Sequence, residues 1–310
     1  MPLPKRHHYI PQFYLNGFCQ NNKLWVYDRY QNDFRRQTPK NTTLQKHYYS
    51  FESKEEKRDT EIEKVLSQIE GFSKPIITKI NKREKIDQAE KETLSLFIAL
   101  QFVRVPDFEK AVNQIAERLI RHTSRFIFAD EKRAEEALEQ YEEKTGKKAE
   151  VSPKELAEFV LNDEYNLKCN RDLSLGMMLP LGLRFANYFR QMDWLILYAP
   201  RKTSFITSDN PFVLVGPPNH DLSSSYGVGF ITKGANKVVP LSQFCSLIMG
   251  DHGDQTRMSD CTPQDVRSMN ISIALSCDRF LLSRDEALLR SLVKTTRINE
   301  KVKHSRFKLG

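Results

Sequence analysis

Two adjacent histidines near the start of the chain are the side chains best suited to chemistry. His7 and His8 stand with Gln12 in residues 5–15, a stretch that also carries three aromatic rings and two cations. An imidazole titrates near neutral pH and can act as a general base or bind a metal ion. Neighbouring side chains of an extended segment point to opposite sides, so both histidines cannot easily serve one centre. The alternative is that both are hydrogen-bonded residues at the entry to a helix. Gln12 would share the face of His8 if a helix begins near Pro11.

A second polar motif, Thr207-Ser208-Asp209-Asn210-Pro211, lies far downstream. The proline disfavours the α conformation at Asn210, and Asp and Asn are common turn residues, so the motif predicts a turn. A turn directly after a strand would hold Asp209 at the edge of a sheet, where functional groups are often placed. The alternative is an Asx turn in which Asp209 bonds only its own backbone.

Gln101 and Arg104 form a third candidate pair, three residues apart at the end of a predicted helix. An arginine on an otherwise apolar helix face needs a carboxylate or a phosphate as partner. Anion binding is one interpretation, and a salt bridge to Glu61 or Glu70 on the preceding helix is the other. Two weaker candidates of the same kind, also three apart, are Arg267 and Asn270.

The first two motifs together resemble a widespread, mainly bacterial family of unknown function. The resemblance rests on His-His-Tyr-Ile-Pro-Gln-Phe-Tyr-Leu at residues 7–15 and on Thr-Ser-Asp-Asn-Pro at residues 207–211. Family members are similar to this chain at Arg104-Val105-Pro106 as well, where an Arg-x-Pro ends a helix. The resemblance implies no particular reaction, but it favours a single composite domain in which the N-terminal motif and Asp209 meet.

Composition and charge limit the class of protein. With 310 residues, 39% hydrophobic and 28% charged, the chain is typical of a soluble globular protein. It contains no run of about 18 apolar residues, which predicts that it does not span a membrane. The start lacks the apolar core of a secretory signal. Five single cysteines, with no C-x-x-C pair, favour free thiols in a reducing cytoplasm.

The net charge of +8 is compatible with an anionic partner such as nucleic acid or a phosphorylated ligand. Simple solubility is the competing explanation. The basic residues cluster visibly only at Lys5-Arg6 and between Lys294 and Lys308. The C-terminal stretch is interpreted as a solvated tail or as an arm that contacts phosphate.

Three zones must position these side chains, and their sum predicts an α+β fold. Residues 1–57 hold the motif and a small β unit, with a hairpin of Lys23–Asp28 and Phe34–Gln37 and a third aromatic strand at 47–51. Residues 58–192 form a helical block whose first helix is capped by Asp59 or Thr60. Residues 193–310 form an antiparallel sheet with two closing helices.

Several familiar enzyme motifs are missing. The chain has no G-x-x-x-x-G-K-[ST], G-x-G-x-x-G, H-E-x-x-H or G-x-S-x-G motif. These absences, the basic net charge and the His, Asp and Arg candidates are compatible with one hypothesis, a hydrolase of phosphodiester bonds, in particular a nuclease of a bacterial defence or toxin type. In it His7 or His8 is a general base or a ligand of a divalent metal such as Mg²⁺ or Mn²⁺, Asp209 is a second ligand or an orienting group, and Arg104 stabilises phosphate charge.

Two other hypotheses stay open. The first is a non-catalytic sensor or binding module for a nucleotide or another anionic ligand. The second is a purely structural account, in which both motifs tie the N-terminus onto the sheet. The residues expected to contact a ligand are Gln12, Gln101, Asn210, Arg267 and Asn270.

Overall fold

The N-terminal motif forms a short strand followed by one helical turn. The computed structural model describes residues 6–46, 48, 56–128, 130–163, 165–167, 171–217, 228–230 and 232–300. Strand β1 (Arg6–His8) leads through the N-cap Pro11 into helix α1 (Gln12–Asn16), so the condition under which Gln12 shares the face of His8 is met. The predicted hairpin is confirmed as β2 (Leu24–Asp28) and β3 (Asp33–Gln37), which pair antiparallel.

A further short strand, β4 (Leu44–Lys46), pairs antiparallel with β1, so that His7 lies opposite Gln45. The aromatic strand predicted at 47–51 lies outside the described residues except for Tyr48, which sits in a turn.

The central block is helical, as predicted. Its elements are α2 (Glu56–Asn81), α3 (Gln88–Val103), α4 (Pro106–Ile127), α5 (Glu131–Thr145), α6 (Pro153–Leu161) and α7 (Arg171–Arg190). The prediction that Asp59 or Thr60 caps the first helix was wrong, because α2 already begins at Glu56. The predicted start at Ser152 is confirmed by a capping box, in which Ser152 and Glu155 bond each other's backbone N–H.

The C-terminal zone supplies the remaining strands and two helices. They are β5 (Met192–Tyr198), β6 (Thr207–Ser208), β7 (Val213–Val215), β8 (Asn236–Pro240), β9 (Cys245–His252), β10 (Thr256–Asp260), α8 (Pro263–Ser276), β11 (Phe280–Ser283) and α9 (Glu286–Thr296).

These strands enter two sheets, which together with the helices confirm the α+β class. One sheet has the order β10-β5-β9-β8-β7, and all its pairs are antiparallel except that β10 runs parallel to β5. The other has the order β3-β2-β11-β6, so the N-terminal hairpin and the strand before Asp209 share one sheet through β11.

The main core lies between the helical block and the five-stranded sheet. Helices α3 and α7 approach closely at Gly182, where an added Cβ would lie 2.8 Å from Cδ2 of Leu100. Fully buried aromatic side chains such as Phe97, Phe102 and Trp194 fill the space around them. Among the helices that the structure describes, none is both long enough and apolar enough to cross a membrane.

Candidate functional site

The two histidines point to opposite sides of β1, as predicted. His7 is 5% exposed, and its Nε2 lies 3.4 Å from Oε1 of Glu63 on α2. Nε2 of His8 lies 3.1 Å from the carbonyl oxygen of Lys40. Because a carbonyl can only accept, this contact assigns the ring proton of His8 to Nε2. Nδ1 is then an acceptor, and Nε2 of Gln12 donates to it at 3.5 Å.

Both ring nitrogens of His8 are therefore engaged. Burial lowers the pKa of His8 below its ordinary value of 6.5, and this effect outweighs the backbone hydrogen bonds that raise it. His8 is consequently neutral at pH 7. It can act as a general base only after giving up its contact with Gln12.

Arg104 lies at the C-terminal cap of α3, with its side chain 1% exposed. Nη1 donates to Oε1 of Glu70 at 2.8 Å, which confirms the predicted alternative of a salt bridge to the preceding helix. The side chain of Glu61, the other predicted partner, lies outside the described residues. The carbonyl oxygen of Arg104 accepts from the hydroxyl of Tyr48 at 2.7 Å.

The ion pair with Glu70 uses only one nitrogen of the guanidinium. Within the described part of the chain, Nε and Nη2 of Arg104 have no hydrogen-bond partner, and neither has Nε2 or Oε1 of Gln101. Both residues are almost completely buried, at 2% and 1% exposure. A buried charged donor without a partner is costly, so this pair is the most unusual polar feature of the site.

Helix α2 brings these groups together. Glu63 and Glu70 are seven residues apart and lie on one face of the helix, so His7 and Arg104 contact that same face. The charge of Glu70 also acts on His8. We call this group the α2 site; it consists of His7, His8, Glu63, Glu70, Gln101 and Arg104.

Asp209 occupies a different position. It is 2% exposed, and its two carboxylate oxygens accept from the backbone N–H groups of Asp278 at 2.9 Å and Arg279 at 2.7 Å. Its own N–H donates to the carbonyl of Phe280 at 3.0 Å. Asp209 therefore does more than bond its own backbone, since it fastens the turn after β6 to the start of β11.

Asn210 joins this turn to the helical block. Its Nδ2 donates to Oδ2 of Asp107 at 3.1 Å and to the carbonyl of Ser276 at 3.0 Å. Asp107 follows Arg104 by three residues, at the first turn of α4. The α3–α4 corner is thus common to the α2 site and the Thr207–Pro211 motif.

Opposite charges surround this turn. Lys110 pairs with Asp278 at 2.8 Å, and Arg279 pairs with the fully buried Asp28, also at 2.8 Å. Burial opposes ionisation of Asp28, but the hydrogen bond and charge of Arg279, together with hydrogen bonds from Arg35 and the backbone of Tyr30, outweigh it and lower the pKa of Asp28. Across the described residues, no group of three or more His, Cys, Asp or Glu side chains is arranged to hold a metal ion.

Tyr9 relates the α2 site to the turn that contains Asp209. Its ring centroid is 5.6 Å from that of Tyr48, which bonds Arg104. Burial raises the pKa of Tyr9 well above 10.0, and the nearby charges of Asp209 and Asp278 add to this rise. The N-terminal motif therefore contacts the surroundings of both groups, although His8 and Asp209 have separate sets of partners.

The two weaker candidates have other partners. Asn270 donates to the carbonyl of Ser204 at 2.9 Å and accepts from the N–H of Ile206 at 3.0 Å, which fixes the segment before β6. Arg267 on α8 donates to hydroxyl groups of Ser291 and Thr295 on α9. Their predicted role in ligand binding stays a prediction.

Sequence reasoning missed Glu63 and Asp107. The spacing of Glu63 and Glu70 at seven residues was a signal that both lie on one face of α2. Asp107 directly follows the Arg-Val-Pro segment. An acidic residue in the first turn of a helix is ordinarily explained by its favourable interaction with the helix dipole, so its identity alone did not indicate a further role.

A comparison with protein-family models matches residues 6–287 to one model, described as protein of unknown function (DUF4238). The match includes both motifs. Comparisons with curated proteins and with solved structures gave no match.

Proposed function

The chain belongs to the DUF4238 family, and we propose that it binds a small anionic ligand, such as the phosphate of a nucleotide, at Arg104 and Gln101. The observation that carries this proposal is that four polar atoms of these two buried side chains, Nε and Nη2 of Arg104 and Nε2 and Oε1 of Gln101, have no hydrogen-bond partner within the described residues. Each buried polar group left without a partner costs about 1–3 kcal/mol, and a charged group costs more. A ligand that pairs them recovers this free energy on binding.

The open atoms of Arg104 suit an oxyanion. Nε and Nη2 form one edge of the planar guanidinium, and two parallel N–H groups on such an edge match two oxygens of a phosphate or carboxylate. Glu70 occupies Nη1 on the other side and compensates the charge when no ligand is bound. Arg104 is therefore already oriented for a bidentate contact.

Gln101 extends the recognition. It lies on α3, one helical turn before Arg104 at the C-cap, and within the described residues both its donor and its acceptor lack a partner. The donor can reach a further oxygen of the anion, and the acceptor requires an O–H or N–H of the ligand. A phosphate with a neighbouring hydroxyl or amine, as in a nucleotide, has this combination.

Burial determines how the ligand is held. Since both side chains are almost fully covered, the bound anion must be enclosed, and this strengthens each charge-assisted hydrogen bond relative to the surface. Nε and Nη2 of Arg104 are themselves buried, so the groups that cover them would have to move aside when the anion binds.

Phosphodiester hydrolysis by a defence or toxin nuclease is the second candidate, and the His7–Glu63 contact favours it. A carboxylate 3.4 Å from an imidazole can orient it as a general base. Two of the other expected catalytic groups are engaged elsewhere, because His8 uses both ring nitrogens and Asp209 uses both oxygens. Binding is the better-supported function for this reason.

Thermal unfolding of the full chain tests ligand binding. Inorganic phosphate, sulfate and a panel of nucleotides should raise Tm in proportion to the logarithm of their concentration. In Gln101→Met, of similar volume and without polar atoms, the unliganded protein should keep or gain stability while the anion-induced rise falls sharply. The matched control is Ser246→Ala on β9, which also removes a buried atom that lacks a partner in the described chain.

The proposal fails if no anion raises Tm, or if the anion-induced rise in Gln101→Met is as large as in the native chain and in the Ser246→Ala control. Incubation with RNA and DNA, with and without Mg²⁺ or Mn²⁺, tests the second candidate. Cleavage that disappears in His7→Ala would establish hydrolysis, and its absence under all these conditions would exclude it.

A further inference from the structure

Helix α4 exposes an apolar stripe in its C-terminal part. Leu119 and Phe126 are 65% and 71% exposed, and three isoleucines on the same helix are 41% to 46% exposed. The three are Ile115, Ile120 and Ile127. At 100° per residue these five side chains fall on one face of the helix, over a length of about 18 Å.

The rest of this region has no core of its own. We call residues 113–163, which include α5 and α6, the helical arm. Among its described residues only Ala134, Ala157 and Val160 are buried, and none belongs to either hydrophobic core of the molecule. Ordering a backbone costs about 1–2 kcal/mol per residue, which so little burial cannot offset.

Surface contacts hold the arm together. Arg121 and Arg125 both pair with Asp163 beyond the end of α6, and Arg133 lies over the ring of Phe126. Exposed ion pairs of this kind contribute about 0–1 kcal/mol each. The arm therefore needs a further contact over its apolar stripe.

Charge indicates what that contact is. One edge of the stripe is basic, with Arg118, His122 and Arg125 at helical spacing. One face of α5 is acidic and makes no ion pair to any residue that the structure describes; it carries Glu135, Glu136, Glu139, Glu142 and Glu143. An anionic membrane would attract the first surface and repel the second. A partner must itself carry an apolar stripe and both signs of charge.

We propose that the partner is a second copy of this chain, packed arm to arm about a two-fold axis. In such a pair each apolar stripe covers the other, and the basic edge of α4 in one protomer faces the acidic face of α5 in its partner. The same patch on both subunits satisfies the requirement of an isologous interface. The combination of large apolar side chains with a charged rim is typical of stable protein interfaces.

Sedimentation velocity of the full chain over a range of concentrations tests this proposal. The native protein should reach the mass of two chains of 36.2 kDa. Leu119→Glu together with Phe126→Glu should weaken the dimer at least about 30-fold, the effect of an interface hot spot. Phe72→Glu is the matched control, because Phe72 is equally apolar and 68% exposed but lies on α2. It should leave the dimer intact.

Charge reversal identifies the partner as a second copy. A chain with Glu135→Lys and Glu139→Lys should be monomeric, and so should one with Arg118→Glu and His122→Glu, while their mixture should form a heterodimer. A native protein that stays monomeric at every concentration overturns the proposal. So does a Phe72→Glu variant that dissociates as readily as the arm variant, or a mixture of the charge-reversed chains that does not associate.

Discussion

Replacement of Glu70 by Gln separates the two roles of the Arg104 contact. The side chain of Arg104 is 1% exposed, and its one charged partner among the described residues is Glu70, 2.8 Å away. Glutamine keeps an acceptor oxygen for Nη1 but removes the negative charge. The variant therefore leaves the hydrogen bond possible and the buried guanidinium uncompensated.

The expected cost follows from burial and charge. Two unit charges about 4 Å apart attract by about 4 kcal/mol at an effective dielectric constant of about 20. Removing one partner of a fully buried pair costs about 3–5 kcal/mol. Glu70 is 27% exposed, so solvent screens part of this attraction. We expect a loss of about 2–3 kcal/mol, which for a chain of this size lowers Tm by about 3–5 °C.

Thermal and urea unfolding of the two proteins measure this loss. Added phosphate or sulfate should restore more of the Tm of Glu70→Gln than it adds to the native chain, because the anion replaces the missing charge. Glu117→Gln is the control, since Glu117 forms an exposed pair with Arg121 on α4 and should cost about 0.5 kcal/mol or less. The reasoning is refuted if Glu70→Gln loses no more stability than Glu117→Gln, or if anions raise both Tm values equally.

Three further substitutions test the surroundings of the site. Asp209→Asn leaves one acceptor for two backbone N–H donors, and it should cost about 1–3 kcal/mol in urea unfolding; a loss below about 0.5 kcal/mol would contradict the assigned contacts. Tyr14→Phe removes a buried hydroxyl that bonds Pro240 and Thr207, with a similar expected cost. The pKa of His8 is lower in the folded than in the unfolded chain. At about pH 6.5 and below, the unfolded state therefore binds more protons than the folded state, and the free energy of unfolding decreases as the pH is lowered. The stability advantage of native protein over His8→Gln should therefore shrink between about pH 8 and about pH 5, and an advantage that grows would reverse this sign.

Local signals made much of the fold predictable. The hairpin β2–β3 and the capping box at Ser152 are each encoded in a short stretch of sequence, because the residues that form each feature lie close together in the chain. Strand β10 was missed because Thr256–Asp260 is polar and mostly exposed, and it runs beside β5 only in the folded chain. Strand β11 was missed because it has four residues, and its partner β2 lies about 250 residues earlier.

The candidate site, like the fold, was predictable where it depends on local sequence and not where it depends on contacts between distant segments. The choice between an ion pair and an anion for Arg104 could be posed from the sequence. The structure contains the ion pair, and two other nitrogens of Arg104 have no partner among the described residues. The contact of His7 with Glu63 could not be foreseen, because it joins a strand and a helix whose relative position depends on the whole core. The engagement of Asp209 with the start of β11 depends in the same way on a pairing across distant segments.

The α3–α4 corner connects the Thr207–Pro211 motif to Arg104. Asn210 holds Asp107, and Asp107 lies three residues from Arg104, so the downstream turn fixes the helix end that aims the guanidinium. Asn210→Ala should therefore reduce the anion-induced rise in Tm although it removes no atom of the α2 site. Asn187→Ala, an exposed asparagine that accepts from Arg190 at the end of α7, is the control and should leave that rise unchanged. An undiminished rise in Asn210→Ala, in a variant that still unfolds cooperatively, would show that the turn stabilises the fold without positioning Arg104.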